Sequence, residues 1–240
     1  LVNKKIVKSR TKAQAMIIAG QVFVEEKMIS KSGALFKNDA RVKINNLHSK
    51  WVSRGAYKIL HIIKKLNIEI KDKICLDLGA STGGFTQVLL KKGANKIYSV
   101  DVGKNQLHEK LRTEKKIINI EKTNARYLDS SLIKDKIDII TCDVSFISMK
   151  KVIKPCLKLL NNNGKVIALI KPQFEAKKQE IKKGIVLNEN VRLRICKEYK
   201  SWYEKDCLMR VIGLIESPIR GPKGNKEYLI YSKNYKNLKQ

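Results

Sequence analysis

Acidic residues are scarce in this chain, 22 Asp+Glu against 51 Lys+Arg over 240 residues. The resulting formal net charge of +29 excludes few folds, but it favours a polyanionic partner, with nucleic acid ahead of a membrane surface. A lysine-rich composition that merely solvates the surface is the plainer alternative. Histidine is limited to His48, His61 and His108, and the five cysteines (Cys75, Cys142, Cys156, Cys196, Cys207) form no C-x-x-C pair. That leaves no clustered ligands for zinc, and no metal is expected. Several of the cysteines sit in apolar runs, as buried reduced thiols of a cytoplasmic protein do. No apolar run approaches the ~18 residues of a transmembrane helix, and no signal-peptide pattern opens the chain. It begins at Leu1 without Met, which reads as a clipped N-terminus. The G-x-G-x-x-G spacing of dinucleotide binders is also missing, so hydride transfer is not the first choice.

What is present is a strong organising stretch, Ile74-Cys75-Leu76-Asp77-Leu78-Gly79-Ala80-Ser81-Thr82-Gly83-Gly84-Phe85-Thr86. It reads as a short apolar strand, an acid, a glycine-rich turn and a helix start. Such a turn lets backbone approach a ligand closely, and the helix start supplies free N–H groups.

Residues 1–47 read as a small separate unit. Ser9 is a plausible N-cap for a helix from Arg10 to Ala19, with Ala13, Met16 and Ile17 on one face. Gly20 ends it, and strands follow at Gln21 to Val24 and near Arg41 to Ile44. Lys4, Lys5, Lys8, Arg10 and Lys12 crowd the helix and its approach, which suits contact with an RNA backbone. The run Lys8-Ser9-Arg10-Thr11-Lys12-Ala13-Gln14-Ala15-Met16-Ile17, then Ala19-Gly20-Gln21-Val22-Phe23-Val24, resembles the S-four-type RNA-binding domain. The usual opening helix of that module is mostly absent. Residues 48–53 form a polar connector, and residues 54–240 a second domain, with Arg54 at its start added to the RNA-facing set.

A helix from about Arg54 to Leu66 carries an Ile59, Ile62, Ile63 and Leu66 stripe, with Lys58 beside it, either snorkelling or pointing into a site. From Lys73 onward strands alternate with helices. The strands fall at 73–78, 96–101, 116–121, 137–142, 165–170, 209–215 and 226–232, with helices near 84–92, 104–112, 148–160 and 189–204. This predicts an α/β fold with a mostly parallel, Rossmann-like sheet and an antiparallel closing hairpin at its edge.

In such sheets ligands bind at the carboxyl ends of the strands. Asp77, Asp101, Asn124, Asp143 and Lys171 fall at or just after those ends. Asp101, 17 residues after Gly84, suits the ribose hydroxyls of an adenosine-type ligand, or simply caps a loop. Asp77 has the stronger claim to a structural role, holding the turn. Alternation places Glu227 facing inward, where an acid needs a cation. Asp143 and Lys171, with Lys58 and Glu227 around them, would form a balanced cluster. Burial beside another ammonium moves a lysine down from ~10.4 toward the general-base range. An ordinary salt-bridge network is the alternative.

Six runs carry a wider resemblance: Val52-Ser53-Arg54-Gly55-Ala56-Tyr57-Lys58, Asp77 to Thr86, Val100-Asp101-Val102-Gly103, Cys142-Asp143-Val144-Ser145-Phe146-Ile147-Ser148, Leu169-Ile170-Lys171-Pro172-Gln173-Phe174-Glu175-Ala176, and Ser217-Pro218-Ile219 through Gly224-Asn225-Lys226-Glu227. Together they resemble the TlyA family, whose members are described as haemolysin A or as ribosomal-RNA 2′-O-methyltransferases. The catalytic half is similar to FtsJ-like methyltransferases. The resemblance implies S-adenosyl-L-methionine as cofactor, held by Asp77, Gly79, Ser81, Thr82, Gly83, Gly84, Phe85, Asp101, Asn124 and Asp143. It implies a Lys-Asp-Lys-Glu tetrad on Lys58, Asp143, Lys171 and Glu227, and a cytidine ribose of ribosomal RNA, free or in a subunit, as substrate. Ala56 departs from the family's second glycine. A lysine-rich flap is expected at 175–187. The rival classes are a membrane-lytic protein and a non-enzymatic RNA-binding assembly factor.

Overall fold

The computed structural model describes residues 1–7, 9–18, 22–29, 32–37, 39–44 and 50–234. Two compact units divide the chain, Leu1–Arg54 and Gly55–Gln240.

In the first unit, helix α1 (Arg10–Ile18) is followed by strands β1 (Val22–Val24), β2 (Lys27–Met28) and β3 (Val42–Ile44), paired antiparallel in the order β2-β1-β3. Ala13 and Ile17 are buried on one face of α1, and Val22 and Val24 on one face of β1. Strand β2 is absent from the sequence expectation. Its hairpin turns on Glu25 and Glu26, both at positive φ, where the usual Asn-Gly signal would stand. Glu25 is held there by its own N–H donating to the Arg41 carbonyl and its carboxylate accepting the Arg41 N–H. The expected helix stop at Gly20, strand start at Gln21 and the connector residues 48 and 49 lie outside the described residues.

The second unit is built on a seven-stranded sheet. Its elements are α2 (Gly55–Lys65), β4 (Ile74–Leu78), α3 (Gly84–Lys91), β5 (Lys96–Val100), α4 (Glu109–Arg112), β6 (Ile117–Ile120), β7 (Ile137–Cys142), α5 (Met149–Cys156), β8 (Leu160–Ile170), α6 (Glu189–Lys205), β9 (Met209–Glu216) and β10 (Tyr228–Asn234). Strand order is β6-β5-β4-β7-β8-β10-β9. Pairing is parallel from β6 through β8, and β10 is antiparallel to both β8 and β9. This is a Rossmann-like α/β sheet whose order reverses between β4 and β7, the place where such folds bind ligands. The central strands are apolar almost throughout because helices cover both faces. Even-numbered β8 residues Val166, Ala168 and Ile170 join Cys156 of α5 and Ile195, Tyr199 and Tyr203 of α6 in the main core.

The expected antiparallel hairpin closes the sheet: β10 pairs antiparallel with both β8 and β9, and β9 forms the edge. Two details differ from expectation. Helix α4 starts only at Glu109, because the Glu121 carboxylate accepts the N–H groups of Asn105, Gln106 and Leu107 and leaves them no helical role. Strand β8 begins at Leu160 rather than 165. Its polar start is held by the Asn161 amide on the Asp138 carboxylate and by Asn234 donating to the Asn161 carbonyl.

Candidate active site

Strand β4 delivers Asp77, and the turn after it carries the glycines. Gly79 sits at φ 78, with its N–H donating to the Val100 carbonyl. A Cβ there would lie 3.1 Å from the Asp143 carbonyl oxygen, so glycine lets this turn lie against the loop after β7. Gly83, at φ 94, precedes α3, and its missing Cβ makes room for Leu107 and Leu111. Its absent side chain therefore serves packing. Thr82 and Phe85 are buried, and Gly84 opens α3.

Asp101 follows β5 and remains partly exposed. Its two carboxylate oxygens accept the N–H groups of Ser81 (2.9 Å) and Gly103 (2.7 Å). It thereby ties the glycine turn to the β5 loop, and each oxygen still has a lone pair for a ligand hydroxyl. Asn124 accepts from the Arg126 N–H and so starts a short 3₁₀ turn. Asp77 is enclosed at 1% exposure. Its carboxylate accepts from the hydroxyls of Thr86 (2.6 Å) and Thr141 (2.8 Å). Burial pushes its carboxyl up to about 6, against the pull of those hydroxyls, with the Asp143 charge adding to the rise. It supports the turn from beneath.

The four residues expected to act together do converge. Lys58 is buried on α2 rather than snorkelling. Asp143 follows β7, and Lys171 follows the neighbouring parallel strand β8. Pro172 keeps Lys171 extended (φ −112, ψ 95), as a residue before proline must be. Glu227 stands one residue before β10 rather than within it, and is fully buried. Lys58 Nζ lies 2.7 Å from Glu227 Oε2 and 3.7 Å from Asp143 Oδ2, and Lys171 Nζ lies 2.5 Å from Asp143 Oδ1. Two ammonium groups and two carboxylates thus alternate in one chain of contacts. Burial pushes the Asp143 carboxyl upward, but the charges of Lys171 and Lys58 and their hydrogen bonds outweigh it and hold it below the usual carboxylate range.

Further residues adjoin this cluster or the loop that carries Asp143 without having been assigned a role from sequence. Ser145 accepts a 2.8 Å hydrogen bond from Lys171 Nζ, and Gln173 donates to Glu227 Oε1 at 3.3 Å. Gly221 leaves room for the carboxylate: a Cβ there would fall 2.1 Å from Glu227 Oε1, which would have to shift. Phe146 is 91% exposed at φ 64, with its ring 5.2 Å from that of Phe174. Ser145, Gln173 and Gly221 all lie inside the sequence runs above, but only their approach to the cluster singles them out, whereas Phe146 is marked by its exposure. The stretch expected as a flap, 175–187, is tied at several points in this structure. Buried Asn225 donates to the Gly184 carbonyl and accepts the Val186 N–H, Arg192 holds the Val186 and Leu187 carbonyls, and Arg194 pairs with Glu180.

Of the RNA-facing candidates, Lys4, Lys5 and Arg10 are exposed, with Lys4 Nζ also donating to the Ala40 carbonyl. Arg54 is half-buried. Lys12 lies in α1, and Lys8 falls outside the described residues. Among the described residues no group of His, Cys, Asp or Glu could hold a metal, and no helix is long and apolar enough to cross a membrane.

Comparison with known proteins adds to this geometry. Hemolysin A of Brachyspira hyodysenteriae is 42% identical over 226 residues, 93% of each chain. The 16S/23S rRNA (cytidine-2'-O)-methyltransferase TlyA of Mycobacterium tuberculosis is 32% identical over 239 residues, 96% of this chain and 87% of that one. A solved Streptococcus thermophilus protein named a hemolysin superposes with a TM-score of 0.76 at 34% identity, over 95% of this chain and 84% of the other. The FtsJ-like methyltransferase family matches residues 51–234, most of the chain. The chain belongs to the FtsJ-like methyltransferase family.

Proposed function

We propose that the protein is an S-adenosylmethionine-dependent ribosomal-RNA 2′-O-methyltransferase with a cytidine ribose as acceptor. The observation that carries this reading is the Lys58–Glu227 and Lys171–Asp143 contact chain at the carboxyl ends of β7 and β8, beside the glycine turn of β4. The residues fit the implied cofactor. Asp101 retains acceptor capacity for two ribose hydroxyls, Val102 beside it presents an exposed apolar side chain to a base, and Gly79 brings the turn against Asp143. When bound, S-adenosylmethionine supplies an electrophilic methyl group on a sulfonium.

The chain's own residues then have separable tasks. Lys171 accepts the proton of the 2′-hydroxyl, which is a poor nucleophile until that proton is taken. Asp143 orients Lys171 and spans the gap to Lys58. Glu227 neutralises Lys58 and is itself held by Gln173. Holding two reactants aligned contributes on the order of 7–11 kcal/mol to lowering the barrier. The exposed Phe146 ring offers a face on which an unstacked base can lie. The first unit, with exposed Lys4, Lys5 and Arg10 around α1, acts as an S-four-type RNA-binding module that brings ribosomal RNA or a subunit to the site. The place of work is the cytoplasm, where that RNA resides.

A haemolysin reading is favoured only by the names of relatives. It gives the buried charge cluster nothing to do. Calorimetry with S-adenosylmethionine and transfer of a labelled methyl group to ribosomal subunits test the proposal. Binding that Asp101→Ala weakens, and label in ribosomal RNA, are expected; a chain that binds the cofactor but labels no RNA would contradict it.

A further inference from the structure

We propose that Ser145 is a positioning residue that sets the direction in which the Lys171 amine presents its lone pair, and thereby the side from which the acceptor hydroxyl enters. The inference rests on the reading of Lys171 as proton acceptor. Three protein oxygens surround Lys171 Nζ: Asp143 Oδ1 at 2.5 Å, Ser145 Oγ at 2.8 Å and the Asp143 carbonyl at 3.4 Å. An ammonium has three N–H donors and no acceptor, so in the charged form it donates to Ser145 Oγ and the Asp143 carbonyl and faces Asp143 Oδ1 as an ion pair.

The three partners are not equivalent once a proton leaves. A carboxylate oxygen and a peptide carbonyl only accept hydrogen bonds, whereas a hydroxyl both accepts and donates. In the neutral amine the two N–H groups stay turned toward the acceptor-only Asp143 carbonyl and carboxylate, and the lone pair is left facing Ser145, whose O–H turns to donate to it. Ser145 is exposed while Lys171 is buried, so this is also the direction from which an incoming ligand reaches Nζ. On arrival the 2′-hydroxyl replaces the Ser145 donor. The O–H bond of the ribose breaks, its proton passes to Nζ, and the oxygen pair forms the bond to the donated methyl carbon. The donor's carbon–sulfur bond breaks with its pair on sulfur. The new ammonium then donates to Ser145 again, and the serine keeps its own proton throughout.

The test compares Ser145→Ala, Ser145→Thr and Lys171→Ala in the full chain, with hypomethylated ribosomal subunits and methyl-labelled S-adenosylmethionine. Ser145→Ala is expected to lower kcat by roughly 10- to 100-fold, a part of the whole contribution of a general base. KM for the subunit, cofactor affinity and the thermal midpoint should stay at wild-type values, because the side chain is exposed and touches neither unit's core. Ser145→Thr, which keeps the hydroxyl, should recover most of kcat. Wild-type kcat in Ser145→Ala, a loss confined to KM, or a Thr variant no better than Ala would overturn the inference. Lys171→Ala separates it from the reading beneath: an active Lys171→Ala strikes that reading, whereas an inactive one beside an unimpaired Ser145→Ala strikes the Ser145 role alone.

Discussion

Asp77 and Asp143 sit on neighbouring parallel strands, one within β4 and one just past β7, and both are withdrawn from water. Asp77 is met by two threonine hydroxyls, and burial raises its carboxyl to about 6. Asp143 is met by two lysines, and despite its burial its carboxyl is held below the usual range. Neutral donors satisfy a buried carboxylate without repaying the cost of its charge, whereas cations more than repay it. The same residue type on adjacent strands therefore makes a strut in one case and the centre of a buried charge cluster in the other.

The largest effect should come from the lysine side of the contrast. Lys171→Ala should lower methyl transfer by at least ~100-fold, the scale of a lost general base, while calorimetry shows cofactor affinity nearly intact. Asp143→Asn leaves Lys58 and Lys171 facing an amide. It should lower transfer comparably and cost about 3 kcal/mol of stability at neutral pH, as removal of one member of a buried pair does. Because the folded pKa of Asp143 is depressed, its contribution is present above the ordinary carboxylate value and fades as pH falls. The deficit of Asp143→Asn in denaturant titrations should therefore shrink in acid.

Asp77→Asn should behave in the opposite sense. The folded pKa of Asp77 is raised, so the wild-type chain loses stability as pH climbs from about 4 to about 6. The asparagine variant should be flat across that window and, with one hydroxyl bond kept and the other reversed so that the amide N–H donates to a threonine oxygen, more stable at pH 7 by up to about 3 kcal/mol, with methyl transfer retained. A variant that keeps the pH 4–6 slope would break the distinction between the two aspartates. The smallest effect should come from Gly221→Ala, whose Cβ presses on Glu227. Overpacking of this kind costs about 1–3 kcal/mol, read as a lower thermal midpoint together with reduced kcat as the Lys58–Glu227 contact shifts.

Much of this was legible in the sequence for a physical reason: strand ends are marked by a change from apolar to polar residues. Asp101 and Asp143 close mostly apolar strands, Lys171 follows the unbroken apolar run 166–170, and Pro172 fixes the last of them. Period-two alternation pointed Glu227 inward, although the strand starts after it. What stayed hidden depends on contacts between distant segments. Nothing near Asn105 says that Glu121 will take its N–H group and shorten α4, and nothing in Glu25-Glu26 announces a hairpin. Which strand of the closing hairpin lies inside, β10 against β8 with β9 outermost, depends on packing across the sheet. Ser145 stands two residues after Asp143 in plain view, yet only the 2.8 Å contact with Lys171 distinguishes it from any loop serine.

The chemical position of the transferred methyl group tests the central claim most directly. Hypomethylated ribosomal subunits, labelled by the wild-type chain from methyl-labelled S-adenosylmethionine, would be hydrolysed with alkali and the products separated. A 2′-O-methyl group removes the hydroxyl that alkali uses to cleave the chain, so the label should appear in alkali-stable dinucleotides beginning with cytidine, and Lys171→Ala should abolish it. Label recovered in mononucleotides, on a base, would contradict a ribose 2′-hydroxyl as the acceptor.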